Sequence, residues 1–212
     1  RPDVVRVAQG GTGYNTIIIG SGNRADPLNR NTNNQLFVIK DSGLLDTSVS
    51  AEPATPSSLV NFSNNCATGG DCLSLLTLEQ AAQGWRINLN TNGNRAGEKV
   101  LSSPVTIAGQ ILFTSYIPPS LNVNSCTPQE GTGRLYAIDL LTGRGVIDLF
   151  AQDGDSSDSL DNARGTQMTA AGIPSGVRYI RPETFLGSDF SLTSVGHRDT
   201  WRTYWRERDG ER

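Results

Sequence analysis

One passage of this chain repeats another, and that constrains the fold more than any single motif. IIIGSG at 17–22 followed by LFVIKD at 36–41 is echoed by ILFTSY at 111–116 followed by LYAIDL at 135–140. The offsets are 94 and 99 residues (17 to 111, 36 to 135). Each copy reads strand, turn, strand, loop, strand. A repeated four-stranded unit of about 40–50 residues is a propeller blade, and a blade buries its faces only against its neighbours. The offset spans about two such units, and 212 residues hold about three to five, an arc and not a closed ring. The expected fold class is therefore all-β: part of a modified β-propeller, with one short helix and long loops. An ordinary β-sandwich with long loops is the alternative that the residues leave open.

Strands are expected where β-branched and aromatic runs lie between turn clusters. These are Val4–Ala8, Asn15–Ile19, Gln35–Ile39, Trp85–Leu89, Glu98–Ile107, Gln110–Tyr116, Arg134–Leu140 and Val146–Phe150, with Ser175–Arg181 and Phe190–Thr193 less marked. Alternation in Gln35–Ile39 puts Leu36 and Val38 on one face and Phe37 and Ile39 on the other. Glycine, at 23 of 212 residues, exceeds the usual share of about 7% and supplies the turns. Leu73–Gln83 reads as the helix, with Leu75, Leu76, Leu78 and Ala82 on one stripe. Residues 43–72, rich in Ser, Thr, Pro and Asn, read as a long surface loop.

Composition excludes several classes. Hydrophobic residues at 36% and charged residues at 18% favour neither disorder nor a membrane protein. No apolar run approaches the roughly 20 residues of a transmembrane helix. A net charge of −3 argues against nucleic acid as a partner. The tail at 198–212 is charged and aromatic, and its arginines are interleaved with Asp199, Glu207, Asp209 and Glu211. Trp201 and Trp205, four apart, are read as packing on the domain, not as a stacking platform. His197 is the only histidine, so no His-rich metal site exists. No acid, base and nucleophile converge in the pattern, so no catalytic residue is assigned and the chain is not expected to be an enzyme.

Cys66 and Cys72 lie in the Gly-rich loop NNCATGGDC and are expected to form a small disulfide, which implies an oxidising compartment. Cys126 is the odd one left over. The opening RPDVVRV has no leading Met and none of the regions of a signal peptide, so the chain is read as a piece of a longer protein.

Three motifs bear on turns and sites. In LYAIDLLTGR, Asp139 is expected to accept backbone N–H bonds and Gly143 to supply a positive φ. Gly20 and Gly22 mark a tight turn in GSGNR, with Arg24 bonding carbonyls. A phosphate cradle would need a helix directly after, where Asp26-Pro27 stands instead. Asp153, Asp155 and Asp161, with Ser157 and Ser159, alternate as in a calcium loop, but Asp158 replaces the sixth-position Gly and Arg164 the final Glu. The run reads as a solvated acidic loop in which those three aspartates are the candidate calcium ligands.

Together, GSGNRADPL, LFVIKD, GWRINL, GEKVLSSPVTIAGQILFTSYIP, the loop of Cys126, GRLYAIDLLTGR and YWRE resemble, in order and over most of the chain, the C-terminal propeller of the PilY family of type IV pilus biogenesis factors and pilus-tip adhesins. The resemblance implies a quinoprotein-like propeller fragment at 1–197, followed by the tail at 198–212. It implies a non-enzymatic role in pilus extension, surface attachment and twitching motility. The implied partners are minor pilins, other pilus-tip components and a surface or host-cell ligand. The implied location is exported: periplasm, outer membrane and pilus tip. The family's calcium loop, with closely spaced Asp residues, has only a partial echo at Asp153–Asp161. Two other functions compete. A quinone-dependent dehydrogenase shares this style of turn, but its adjacent-Cys pair and Trp-rich blade repeats are missing. The other is a purely structural propeller in outer-membrane assembly.

Overall fold

The structure, a computed structural model, describes residues 1–9, 12–41, 53–63, 78, 81, 83–90, 95–120, 129–146, 164–180, 183–186 and 190–192. Among these the chain is all-β, with strands β1 (Asp3–Gln9), β2 (Thr12–Gly20), β3 (Gln35–Asp41), β4 (Val60–Asn61), β5 (Gly84–Asn88), β6 (Val105–Ile107), β7 (Gln110–Ile117), β8 (Thr132–Asp139), β9 (Gly165–Ala171), β10 (Val177–Ile180), β11 (Glu183–Leu186) and β12 (Phe190–Leu192). The first sheet has the order β1-β2-β3-β5-β4, the second β6-β7-β8-β9 and the third β10-β11-β12. Within the first two sheets lie two four-stranded antiparallel meanders, β1-β2-β3-β5 and β6-β7-β8-β9. The short β4 adds to the first in parallel, Val60 opposite Trp85.

Period-2 patterning sets which face each strand buries. In the first sheet Tyr14, Thr16, Ile18, Leu36, Val38, Trp85 and Ile87 are buried. Most of them form one cluster with Ile111, Phe113, Tyr136 and Ile138 of the second sheet. The opposite face of the second sheet, Leu112, Leu135 and Ala137, forms another cluster with Val177 at the start of β10. The first strands of the two meanders meet where the Thr106 N–H donates to the Asp3 carboxylate (2.7 Å).

Several sequence expectations change. Among the described residues there is no helix. Of the segment 73–83 only Leu78, Ala81 and Gln83 are described, Leu78 in a turn and all three outside regular structure. Residues 43–72 are not simply a surface loop: Leu59 and Phe62 are buried, the Phe62 ring stacks on Trp85 at 5.2 Å, and β4 pairs with β5. The expected strand Glu98–Ile107 narrows to Val105–Ile107, with an isolated bridge from Lys99 to Tyr116. In the expected strand Val146–Phe150, Val146 donates its N–H to the Ala137 carbonyl (3.1 Å), and 147–150 lie outside the described residues. Strands β9 and β11 have no counterpart in the sequence reading.

Candidate functional site

Among the described residues, a densely bonded polar region lies where residues 95–101, between β5 and β6, cross from the first sheet to the second. On one side Asn34 Nδ2 donates to the Glu98 carbonyl (2.9 Å), Val100 N to Ser21 O (3.0 Å) and Arg24 Nη1 to Leu101 O (3.1 Å). On the other, Lys99 and Tyr116 exchange two backbone bonds of 3.0 and 2.8 Å. Gly20 and Gly22 permit this close crossing. A Cβ on Gly20 would overlap the Val100 side chain, and one on Gly22 would sit 2.8 Å from Lys99 Cβ and 2.9 Å from Val100 O. Neither glycine has a positive φ; their role is room for the crossing backbone.

The side chains of this segment turn inward. Glu98 has no exposure. Its Oε1 accepts from Ser115 Oγ (2.5 Å) and Tyr136 Oη (2.7 Å), while Arg95 Nε stands 3.2 Å from Oε2. Burial raises the Glu98 carboxyl above its ordinary value of 4.5, against the lowering pull of Arg95 and of the two hydroxyls. Burial, and then Glu98, raise the Tyr136 hydroxyl as well. A carboxyl shifted this way is the kind of group that performs acid–base chemistry, but this one is sealed from solvent and already engaged by two hydroxyl donors and an arginine. Its arrangement braces β7 and β8 against the crossing segment. Lys99, 1% exposed, sends its Nζ to three backbone carbonyls of the 26–29 turn: Asp26 (3.3 Å), Pro27 (2.8 Å) and Asn29 (2.8 Å). The ammonium thus fills a carbonyl cup. Burial lowers its pKa, with Asp26 acting in the opposite sense.

A second constellation closes the other end of the seam. Asp139 Oδ1 accepts from Leu141 N (3.0 Å), Thr142 N (2.9 Å) and Thr142 Oγ1 (2.8 Å), while Gly143 N donates to Asp139 O (2.8 Å) at φ +66°. Arg164 spreads its guanidinium over three carbonyls, those of Gly143, Ser63 and Phe62, each at 2.8 Å. At the position where a calcium loop would place its glutamate stands a buried latch between the two sheets.

Beside the crossing segment a cleft of about 380 Å³ is lined by Arg1, Arg24, Val100, Leu101, Ser102 and Ser103 among others. It offers a polar, cationic surface and no acid–base pair. Among the described residues no group of three or more His, Cys, Asp or Glu could hold a metal ion. Cys66, Cys72, Asp153, Asp155 and Asp161, with Cys126, His197 and the tail at 198–212, lie outside the described residues. No described helix is long and apolar enough to cross a membrane. Sequence reasoning missed Glu98, Lys99 and Arg164 as structural centres. The available signal was that Lys99 is one of only two lysines among 18 basic residues.

No protein-family model matches the chain, and no curated protein matches it. Among solved structures, the C-terminal domain of Pseudomonas aeruginosa PilY1 is similar, with a TM-score of 0.59 and 18% identity, over 91% of this chain and 43% of that one. The chain therefore spans less than half the length of that domain, and the likeness is one of fold.

Proposed function

We propose that this chain is part of the C-terminal β-propeller of a type IV pilus-associated protein, acting as a non-enzymatic scaffold in pilus assembly and surface attachment. The observation that carries the reading is the likeness to the PilY1 C-terminal domain over 91% of the chain, together with the ordered motifs of the sequence. Two four-stranded meanders whose central strand pairs, β2–β3 and β7–β8, share equivalent registers support blades over an irregular sandwich. The buried carboxyl and lysine are both committed to holding the seam, which supports a scaffold over a reaction centre. The partners on this reading are minor pilins and other tip components, with a surface or host-cell ligand. The location is outside the cytoplasm, where a Cys66–Cys72 disulfide would persist. Contacts are placed on the loops at 43–72 and 118–133, excepting the core residues Leu59 and Phe62.

Pili sheared from the producing cells provide the test. The reading expects the full-length protein in the sheared pilus fraction, together with minor pilins, and in the envelope. Absence from both fractions in piliated cells would refute it. Non-reducing and reducing intact mass then tests the disulfide: two alkylatable thiols at Cys66 and Cys72 without reductant would exclude it.

A further inference from the structure

The cleft beside the crossing segment has a chemistry that the seam does not use. It opens where the end of β2, the turn at 20–24 and residues 100–103 come together. Its volume of about 380 Å³ is at the low end of the roughly 300–1,000 Å³ of small-molecule sites. Gly20 and Gly22 make it possible, because they let Lys99 and Val100 lie directly against the turn. Two cations line it. Arg24 is held at one point, where its Nη1 donates to Leu101 O (3.1 Å), and among the described residues its guanidinium has no other partner. The Arg1 guanidinium lines the same cleft and has none. Among the described residues no carboxylate lies within ion-pair distance of either arginine. Asp3 is turned to Val4 N (3.1 Å) and Thr106 N (2.7 Å), and Asp26 accepts from Asn29 Nδ2 (3.0 Å). A guanidinium carries five N–H donors in a planar fork, so most of the donors at this cleft are unspent.

The two serines of the lining differ from the arginines in what they offer. Thr114 Oγ1 gives its proton to Ser175 O (3.0 Å). In the 2.7 Å contact between Thr114 Oγ1 and Ser102 Oγ the serine is therefore the donor. Ser102 is left with lone pairs alone: it can accept a hydrogen bond and cannot give one. An anion gains nothing from such a group, whereas a ligand hydroxyl does. The Ser103 hydroxyl has no partner among the described residues and can do either. Ile19 and Leu101 supply the apolar part of the lining.

We propose that this cleft binds an acidic sugar, a hydroxylated ring bearing a carboxylate. The carboxylate lies on the guanidinium groups of Arg1 and Arg24, and ring hydroxyls lie on Ser102 and Ser103. An arginine fork fits carboxylate and phosphate alike, so the arginines alone do not choose between them. The choice comes from Ser102, whose acceptor is of use only to a ligand with donors of its own. A bare inorganic anion would engage the arginines and leave that acceptor unused. The site deepens the surface-ligand part of the proposed function and is separate from the loops at 43–72 and 118–133. It rests on that reading only for the ligand's place outside the cell. Binding is measured on the protein by itself, so the site and the pilus role fail separately.

Glucuronic acid is the probe, with glucose and inorganic phosphate as comparisons, each titrated into isotope-labelled protein and followed by the amide resonances. The account expects saturable shifts at Gly22, Arg24 and Ser103. Glucose lacks the carboxylate and phosphate lacks the ring hydroxyls, so each should bind more weakly by about tenfold or more. Affinity for glucuronic acid should fall as salt is added. Arg24→Gln should weaken its binding by about tenfold or more. That change also removes the bond to Leu101 O, so Arg1→Gln is the companion variant. Arg1 is exposed and its side chain holds nothing in place, so its loss should weaken binding with the melting temperature unchanged. Glucose bound as tightly as glucuronic acid overturns the proposal, because the arginines then recognise nothing. Phosphate bound as tightly overturns it in favour of a plain oxyanion site. The absence of saturable shifts at the three positions, or affinity unchanged by both arginine substitutions, overturns it outright.

Discussion

Gly143 has a left-handed backbone at φ +66°, and a Cβ there would lie 3.1 Å from Phe62 Cδ2. Gly143→Ala should therefore lose about 1 kcal/mol or more, read from denaturant melts. A Gly154→Ala control of equal cost would count against a special turn. Ala108 presents the converse case. It and Gly109 form the two-residue β6–β7 hairpin loop at φ 50° and 79°, a geometry that favours Asn-Gly over Ala-Gly. Ala108→Asn should raise stability by about 0.5–1 kcal/mol; a lower midpoint would contradict it. Glu98 carries a pH signature. It holds its proton more tightly folded than unfolded, so its contribution to stability is full below the unfolded value of 4.5 and declines as pH rises through the higher folded value. The stability of Glu98→Gln relative to the parent should therefore improve as pH is raised from acid to neutral. A difference independent of pH would contradict the burial argument. At this scale the sequence was legible where chemistry is local, as with Asp139 and its turn. Glu98 and Arg164 were not legible, because their partners lie up to 102 residues away.

At the scale of elements, the well-read strands were those with β-branched or aromatic alternation, Val4–Ala8, Gln35–Ile39, Gln110–Tyr116 and Arg134–Leu140. They lie within β1, β3 and β7 and, but for Leu140, β8. Strand β9, GTQMTAA, has little intrinsic preference and becomes a strand by pairing with β8. Strand β4 is two residues long and hides in a Ser- and Asn-rich stretch. Its neighbour Phe62 has no exposure and stacks on Trp85, whose Nε1 donates to Leu140 O (3.0 Å). Phe62→Ala should cost about 3–5 kcal/mol, and deletion of 46–64 should prevent folding, whereas deletion of 46–52 should not. The opposite order of the two deletions in a thermal melt would contradict the placement of β4. Lys99→Met keeps the stem but leaves three carbonyls without their donor. It should cost more than the same change at Lys40, which is not buried in this way.

At the scale of the whole molecule, the repeat was the most informative feature of the sequence. Its offsets reappear as matching registers in two meanders. Two strands of the third sheet, β10 and β12, fall on the less marked segments Ser175–Arg181 and Phe190–Thr193, whereas β11 and the seam between sheets were not legible, because packing between non-adjacent segments leaves no local period. The central claim is that this fold serves a pilus. Its most direct measurement is surface piliation of the producing organism after deletion of the codons for 1–212, with pili sheared and quantified against the parent and against a complemented strain. The account predicts a large loss of sheared pili, and of twitching, restored by the wild-type gene. Surface pili, twitching and attachment all at parental levels in the deletion strain would contradict it.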